Sequence, residues 1–301
     1  MGDPVGDPAA WPGLLWRIRD MADAAQGRLL LYQISAPILD LAIGMGLHIV
    51  KYGEEAFVDL PDFTLETPRL RSLRKGERAT ARRGVTFRVI PAAAVPVILD
   101  ELAEISDDWL AAKGQAEKGF SLGRFDRVYL THFDIAVAMV EDRIVAFANL
   151  WLTHNREGAS IDLMRHRSDA PHGTMDFLFV HIMQWAKERG YATFSLGIAP
   201  LSGISGRRLA PAWARAAALV FQHGERLYGF RGLRAYKEKF DPRWEPRYIA
   251  GPGGLGMVQA LRDLSLLVGR VSPKRGRRGV HDQLVTSGTP PAHLLAGIAG
   301  S

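Results

Sequence analysis

The sequence predicts an α/β (α+β) protein of two tandem lobes, each a mixed sheet flanked by helices. Three observations lead there. Strand-like alternation and helical periodicity interleave along the chain. A strongly basic helical stretch divides it near residue 70. Its 301 residues are 47% hydrophobic, enough for two cores of ordinary size.

The first lobe is expected over residues 1–68. "PGLLWRIRDMADAAQ" (12–26) puts Leu14, Leu15, Ile18, Met21 and Ala22 on one helical face. "RLLLYQIS" (28–35), bounded by Gly27, reads as a buried strand, and 37–46 as a helix closed by glycine. "LHIVKYGEEAFVDL" (47–60) reads as two strands separated by Gly53.

Residues 69–84 form the expected linker helix. In "RLRSLRKGERATARR" seven basic residues accompany one acidic residue. Arg71, Arg74, Lys75, Arg78 and Arg82 are spaced i, i+3, i+4, i+7 and i+11, on one helical face. A face of one sign suits a polyanion better than it suits plain solvation.

The second lobe is expected over 85–269. "VTFRVI" alternates as a strand, and 92–113 is a long helix with Val97, Ile98, Leu102, Ile105 and Trp109 among its apolar positions. A Gly-rich polar loop runs to Asp126, and 133–153 reads as a hairpin turning at Glu141-Asp142. "ASIDLM" is a strand, 173–190 an amphipathic helix, and "YATFSLGIA" another strand. A helix over 206–223, a basic helix and a final strand complete it. Residues 270–301 mix Pro, Gly and Ser with an Arg/Lys cluster at 274–278 and are expected to be disordered.

The order β-α-β-β-β-α-β-α-β across 85–250 is that of a GNAT-type acyltransferase lobe. Such lobes hold the acyl-CoA pyrophosphate on a Gly-rich loop between central strand and helix. The corresponding "RHRSDAPHG" (165–173) has Ala170 in place of the first glycine, Pro171 without an N–H, and Asp169 repelling phosphate. CoA is therefore a poor donor for this chain.

Charge and composition narrow the partners. The net charge of +6 points to nucleic acid, an anionic membrane or a phosphorylated substrate. The absence of cysteine excludes disulfides and thiolate metal sites. No His/Asp/Glu group has metal-ligand spacing, so no metal is expected. "MGDPVGDPAAW" lacks the positive charge of a signal peptide, and "APILDLAIGMGLHIV" (36–50) is too short to span a bilayer.

Six runs carry a family resemblance: "KYGEEAFVDLPDFTLE" (51–66), "EKGFSLGRFD" (117–126), "IVAFANLW" (144–151), "IDLMRHRSDAPHGTMDFLF" (161–179), "LGIAPLSG" (196–203) and "GFRGLRAYKEKFDPRWEPRY" (229–248). In this order they resemble the C-terminal cytosolic synthase domain of the MprF family, the lysylphosphatidylglycerol synthases. The resemblance implies a tandem GNAT fold. It implies transfer of a lysyl or alanyl group from aminoacyl-tRNA, as co-substrate without other cofactor, to the glycerol hydroxyl of phosphatidylglycerol. Such a reaction alters membrane charge and resistance to cationic peptides. It also implies a cytoplasmic protein held peripherally at the membrane. The family's upstream flippase domain has no counterpart in this sequence, so a trimmed catalytic fragment or a short stand-alone relative is expected.

Ester exchange between alcohols needs orientation, a proton acceptor and oxyanion stabilisation. Asp162 is the candidate acid/base or orienting carboxylate, and Arg165 the candidate grip on lipid phosphate or oxyanion; the resemblance supports both. Residues i and i+3 of a regular strand face opposite ways, so the strand must bulge or end between them. The alternative is a strand-end ion pair. Arg234 and Lys237, with Lys239, are candidates for phosphate contact; the alternative is surface charge paired with Glu238. Glu117 is a candidate holder of the aminoacyl amino group and Ser121 of its ester, with Lys118 beside them in the substrate-binding set. His166 and His172 are candidate general bases, but a lone loop histidine is more often structural. Two rival functions remain: a Fem-type transferase acting on a peptidoglycan precursor, and a non-catalytic tRNA- or membrane-binding module.

Overall fold

The computed structural model describes residues 1–114, 117, 119–120, 123–200, 202–203 and 230–269. The helix expected over 206–223 and the tail 270–301 lie outside these residues.

Residues 1–68 contribute α1 (Trp11–Ala24), β1 (Leu31–Ile34), α2 (Leu39–Gly44) and β2 (His48–Asp59). The basic helix α3 spans Arg71–Ala81. Then follow β3 (Val85–Ile90), α4 (Val95–Lys113), α5 (Arg127–Leu130), β4 (Ile135–Val140), β5 (Arg143–Leu152), β6 (Gly158–His166), α6 (Thr174–Glu188) and β7 (Thr193–Pro200). The described chain closes with α7 (Phe230–Glu238), β8 (Arg243–Gly251) and α8 (Leu255–Gly269).

The described strands form one continuous mixed sheet in the order β1-β8-β2-β7-β6-β5-β4-β3, not the two separate sheets expected. The reason is β8: far along the sequence, it hydrogen-bonds between β1 and β2 and joins them to the rest. Only β6 and β7 pair in parallel among the described strands, and only from Gly158↔Thr193 to Ser160↔Ser195. Beyond that point the two strands part, leaving a gap within the sheet.

The middle strands are apolar on both faces because helices cover both. In β5, seven consecutive residues from Ile144 to Leu150 are buried. On one face α4 and α5 bring Leu102, Ile105 and Leu130 onto Phe147 and Leu163. On the other, α6 brings Phe177, Leu178 and Ile182 onto Ala146 and Ala148, with Leu73 of α3 in the same cluster. Burying Phe147 completely contributes about 1.5–3 kcal/mol. At the β1 end of the sheet α1 and α2 pack around Ile34 and Ala250, and α8 packs on Tyr32, Tyr52 and Ile249.

Three elements differ from expectation. Residues 48–59 are one strand, not two. Gly53 there marks an irregular register against β8 and a close approach to β7, where an added Cβ would lie 2.5 Å from the Ala199 carbonyl oxygen. The short α5 lies where the sequence pattern assigns no element; Asp126 starts it by accepting the Tyr129 amide hydrogen at 3.0 Å. Helix α8 was not expected at all. Its buried Met257, Ala260, Leu261 and Leu264 recur at i, i+3, i+4 and i+7.

Candidate active site

The centre is a bulge in β6. Ala148 pairs with Met164 and Leu150 with Ile161, so Asp162 and Leu163 together face Asn149. Asn149 Oδ1 fills the break by accepting the Leu163 amide hydrogen at 2.7 Å. The expected irregularity between Asp162 and Arg165 is therefore present. It turns both side chains to the face covered by α4 and α5.

Asp162 does not pair with Arg165. Its Oδ2 accepts from the Tyr129 hydroxyl at 2.8 Å, and Trp151 Nε1 donates to the same phenol oxygen at 3.1 Å. Among the described residues no cation pairs with Asp162. Burial raises its pKa, against the lowering effect of Tyr129 and Asn149. Burial and then the bond to Asp162 push Tyr129 up to about 12, so at neutral pH it is a phenol donor. Gly123 lies directly over the carboxylate: a Cβ there would come within 2.8 Å of Asp162.

Arg165 is 3% exposed. Its Nη2 donates to Glu117 Oε2 at 2.7 Å, its Nη1 to the Ser106 hydroxyl, and its guanidinium lies 5.2 Å from the Trp109 ring. Glu117 Oε1 also accepts the Phe125 amide hydrogen at 3.2 Å. Arg165 and Glu117 thus neutralise each other, and Glu117 also ties down the backbone at Phe125, two residues from Gly123. A lipid phosphate would have to displace Glu117 to reach Arg165, and an amino group would have to displace Arg165 to reach Glu117. Lys118 and Ser121 lie outside the described residues.

A second cluster lies on the opposite wall of the gap. Gly197 stands two residues beyond the last paired position of β7, as Asp162 does on β6. Lys237 of α7 reaches this wall and donates to the Ile198 carbonyl at 2.8 Å. It is 5% exposed, and burial lowers its pKa to about 7 while the charge of Glu55 opposes the shift. Arg234 donates to Glu54 and Ser202 and lies 4.2 Å over the Trp244 ring. Lys51 also holds Glu54, at 2.8 Å. Burial raises the Glu54 pKa, but bonds from Lys51, Ser202 and Arg234 leave it below the ordinary value. Lys239 turns elsewhere, to Asp176 at 3.0 Å. Glu238 accepts from Trp244 Nε1 rather than balancing these cations.

The basic helix divides its charges. Arg74 and Arg78 both pair with Glu66, at 2.9 and 3.5 Å. Arg71, Lys75 and Arg82 are exposed and have no ion pair among the described residues. Helix α3 packs with α6, on the face of the sheet opposite Asp162.

The remaining charges of "RHRSDAPHG" serve as staples. Asp108 accepts from Ser168 N at 2.6 Å and Ser168 Oγ at 3.1 Å. Arg167 reaches the Ile144 carbonyl and Glu104, and Arg143 pairs with Asp169 at 2.8 Å. The His166 ring contacts the Arg167 carbonyl, and the His172 carbonyl accepts from Arg83. A carboxylate thus occupies the backbone donor that a phosphate cradle would offer. Tyr129, Asn149, Trp151, Glu54 and Glu55 escaped the sequence reading; only Asp126, as a helix-capping residue, signalled the element that carries Tyr129. Among the described residues no cluster of His, Asp and Glu could hold a metal ion, and no helix is long and apolar enough to cross a membrane.

The sequence pattern of the family described as "Phosphatidylglycerol lysyltransferase, C-terminal" matches residues 1–251. The chain belongs to this family. A phosphatidylglycerol lysyltransferase of Bacillus subtilis is 40% identical over 252 residues, which are 83% of this chain and 29% of that protein. The chain therefore spans less than a third of that curated relative. The C-terminal domain of a putative lysylphosphatidylglycerol synthetase from Agrobacterium fabrum superposes with a TM-score of 0.80 at 44% identity, covering 89% of this chain and 81% of that one. The L-PGS structure from Bacillus licheniformis gives 0.79 at 36% identity, with the same coverages. The lysyltransferase C-terminal fold thus carries the Asp162 bulge, the parted strands and Lys237 together here.

Proposed function

We propose that this chain transfers an aminoacyl group, lysyl in the first place and alanyl as the alternative, from aminoacyl-tRNA to the glycerol hydroxyl of phosphatidylglycerol. Membership of the lysyltransferase family supports the substrates. The observation that carries the mechanism is Lys237, a buried amine with a pKa of about 7, held at the wall of the gap facing β6. An amine poised near neutrality can take a proton at one step and return it at the next.

In this reading neutral Lys237 removes the proton from the glycerol hydroxyl as its oxygen attacks the ester carbonyl. A tetrahedral oxyanion forms. Its collapse breaks the bond to the ribose oxygen, which receives the proton from the Lys237 ammonium. One ester is lost and one is made, so no cofactor is required. Asp162 is the orienting carboxylate: lacking a cationic partner among the described residues, it is suited to the ammonium of the incoming aminoacyl group. Arg165 acts through Glu117 as a positioning residue. Arg234 and the exposed Arg71, Lys75 and Arg82 supply positive potential for the polyanionic substrates, tRNA and an anionic membrane surface where the protein would be peripherally held.

The test is chromatography of lipids after incubation with labelled lysyl- or alanyl-tRNA and phosphatidylglycerol vesicles. A labelled lipid from either tRNA is expected. Absence of labelled lipid with both overturns the proposal, and label on a peptidoglycan precursor instead would assign a Fem-type reaction.

A further inference from the structure

A cavity of about 340 Å³ opens on the Asp162 face, below the point where β6 and β7 part. Phe57, Phe133 and Trp151 form its walls, and Ser160 and Ser195 lie in its floor. The Phe133 and Trp151 rings are almost parallel, 15° apart with centroids at 6.4 Å. Trp151 is 43% exposed although large and apolar. The Ser160 hydroxyl has no hydrogen-bond partner among the described residues. Of these residues Trp151 reaches the Asp162 site described above, through the Tyr129 hydroxyl.

We propose that this cavity binds the terminal adenosine of the aminoacyl-tRNA, stacking its base on Trp151 and Phe133; the assignment rests on the aminoacyl-tRNA reading. Three occupants can be weighed. A cationic side chain such as lysyl needs an uncompensated carboxylate, but the nearby Glu55 is bound by Arg247 at 2.6 Å and by Ser195. A fatty acyl chain needs a long aliphatic channel, and a floor of hydroxyls penalises it. The volume stands near the lower end of the roughly 300–1,000 Å³ of small-molecule pockets, a size for one heterocycle and its sugar. Flat aromatic walls with hydroxyls between them suit a base, which offers a π-face and polar edges.

Position agrees. Ser160 precedes Asp162 by two residues on the same face of β6, and Trp151 is joined to Asp162 through the Tyr129 hydroxyl. A nucleoside seated here carries its ribose ester toward the parted strands. Occupancy of the pocket would then be sensed at the Asp162 carboxylate through two hydrogen bonds.

The experiment compares binding of RNA hairpins ending in CCA or lacking the terminal adenosine, by fluorescence anisotropy at fixed salt. The proteins are the wild type, Trp151→Ala, Trp151→Phe and Ser160→Phe. The wild type is expected to prefer the CCA end by roughly tenfold, the scale of one base–ring stack. Trp151→Ala and the cavity-filling Ser160→Phe should lose the preference. Trp151→Phe should keep most of it, since a ring remains while the bond to Tyr129 is lost. Equal binding of both hairpins by the wild type overturns the proposal. So does a preference that persists in Trp151→Ala, and a raised KM for phosphatidylglycerol there would then give the pocket to the lipid. The readout needs no transfer: a wild type that discriminates the CCA end yet makes no aminoacyl-lipid would sink the proposed reaction and leave the nucleoside pocket standing.

Discussion

Asn149 Oδ1 holds the amide hydrogen of Leu163 at 2.7 Å, so a side chain replaces the backbone partner that the β6 bulge removes. Without this bond a buried donor would be unpaired, and the bulge would lose its reason to sit between Asp162 and Arg165. Asn149→Leu is therefore expected to cost about 1–3 kcal/mol in stability. It should reduce aminoacyl transfer by more than the stability loss explains. Denaturant unfolding and initial rates at a temperature where the variant is folded check both parts.

Asp162→Asn keeps the shape and removes the charge. Transfer is expected to fall by two orders of magnitude or more, on the scale of losing an oriented ionised group, with KM for aminoacyl-tRNA raised. Tyr129→Phe should fall less, because the carboxylate is kept and loses only one donor. Equal, wild-type rates in both variants would remove Asp162 from the site.

Lys237 ties activity to pH. If its neutral amine accepts the proton, kcat rises as pH passes upward through about 7 and levels above it. Stability follows the same group. The folded pKa lies below the ordinary 10.5, so between the two values the unfolded chain binds more protons and stability increases with pH. Lys237→Met should abolish transfer and flatten this rise in the urea midpoint between pH 7 and 10. A mutant with an unchanged pH–rate profile would show that another group is the base.

Arg71 and Lys75 of α3, and Arg82 just beyond its end, have no ion pair among the described residues. Changing all three to Glu should weaken RNA binding and lower the slope of log K against log salt by about one for each phosphate no longer neutralised. Glu66→Ala, by contrast, removes only exposed partners of Arg74 and Arg78 and should change stability by no more than about 1 kcal/mol. Salt titrations with RNA and with anionic vesicles show which polyanion the helix meets.

Gly53→Ala would set a Cβ 2.5 Å from the Ala199 oxygen, a clash the backbone must move to relieve. A destabilisation of about 1–3 kcal/mol is expected, the usual scale for overpacking. Because Ala199 follows Ile198, which holds Lys237, the same change should shift the pH profile.

Much of the site was legible because it is local. The bulge followed from placing Asp162 and Arg165 three apart on a strand and requiring one face. The failed CoA loop could be read from Ala170 and Pro171. Lys237 was legible in "RAYKEKF" as a candidate for phosphate contact, but its burial was not: only the approach of α7 to β7 removes it from water. Glu117 and Arg165 each look substrate-facing in the sequence, whereas across a separation of 48 residues they pair with each other.

By itself the sequence determined the mixed α/β class, most element boundaries in the second lobe, the one-signed face of α3 and the family. These depend on residue types at short separations, where side-chain periodicity and backbone donors act directly. Tertiary structure alone decided that β8 lies between β1 and β2, that α8 packs on Tyr32, Tyr52 and Ile249, that Asp162 accepts from Tyr129 and that burial pulls the Lys237 pKa down. Those outcomes depend on burial and on partners far apart along the chain, and desolvation is a property of the packed neighbourhood that no local pattern encodes.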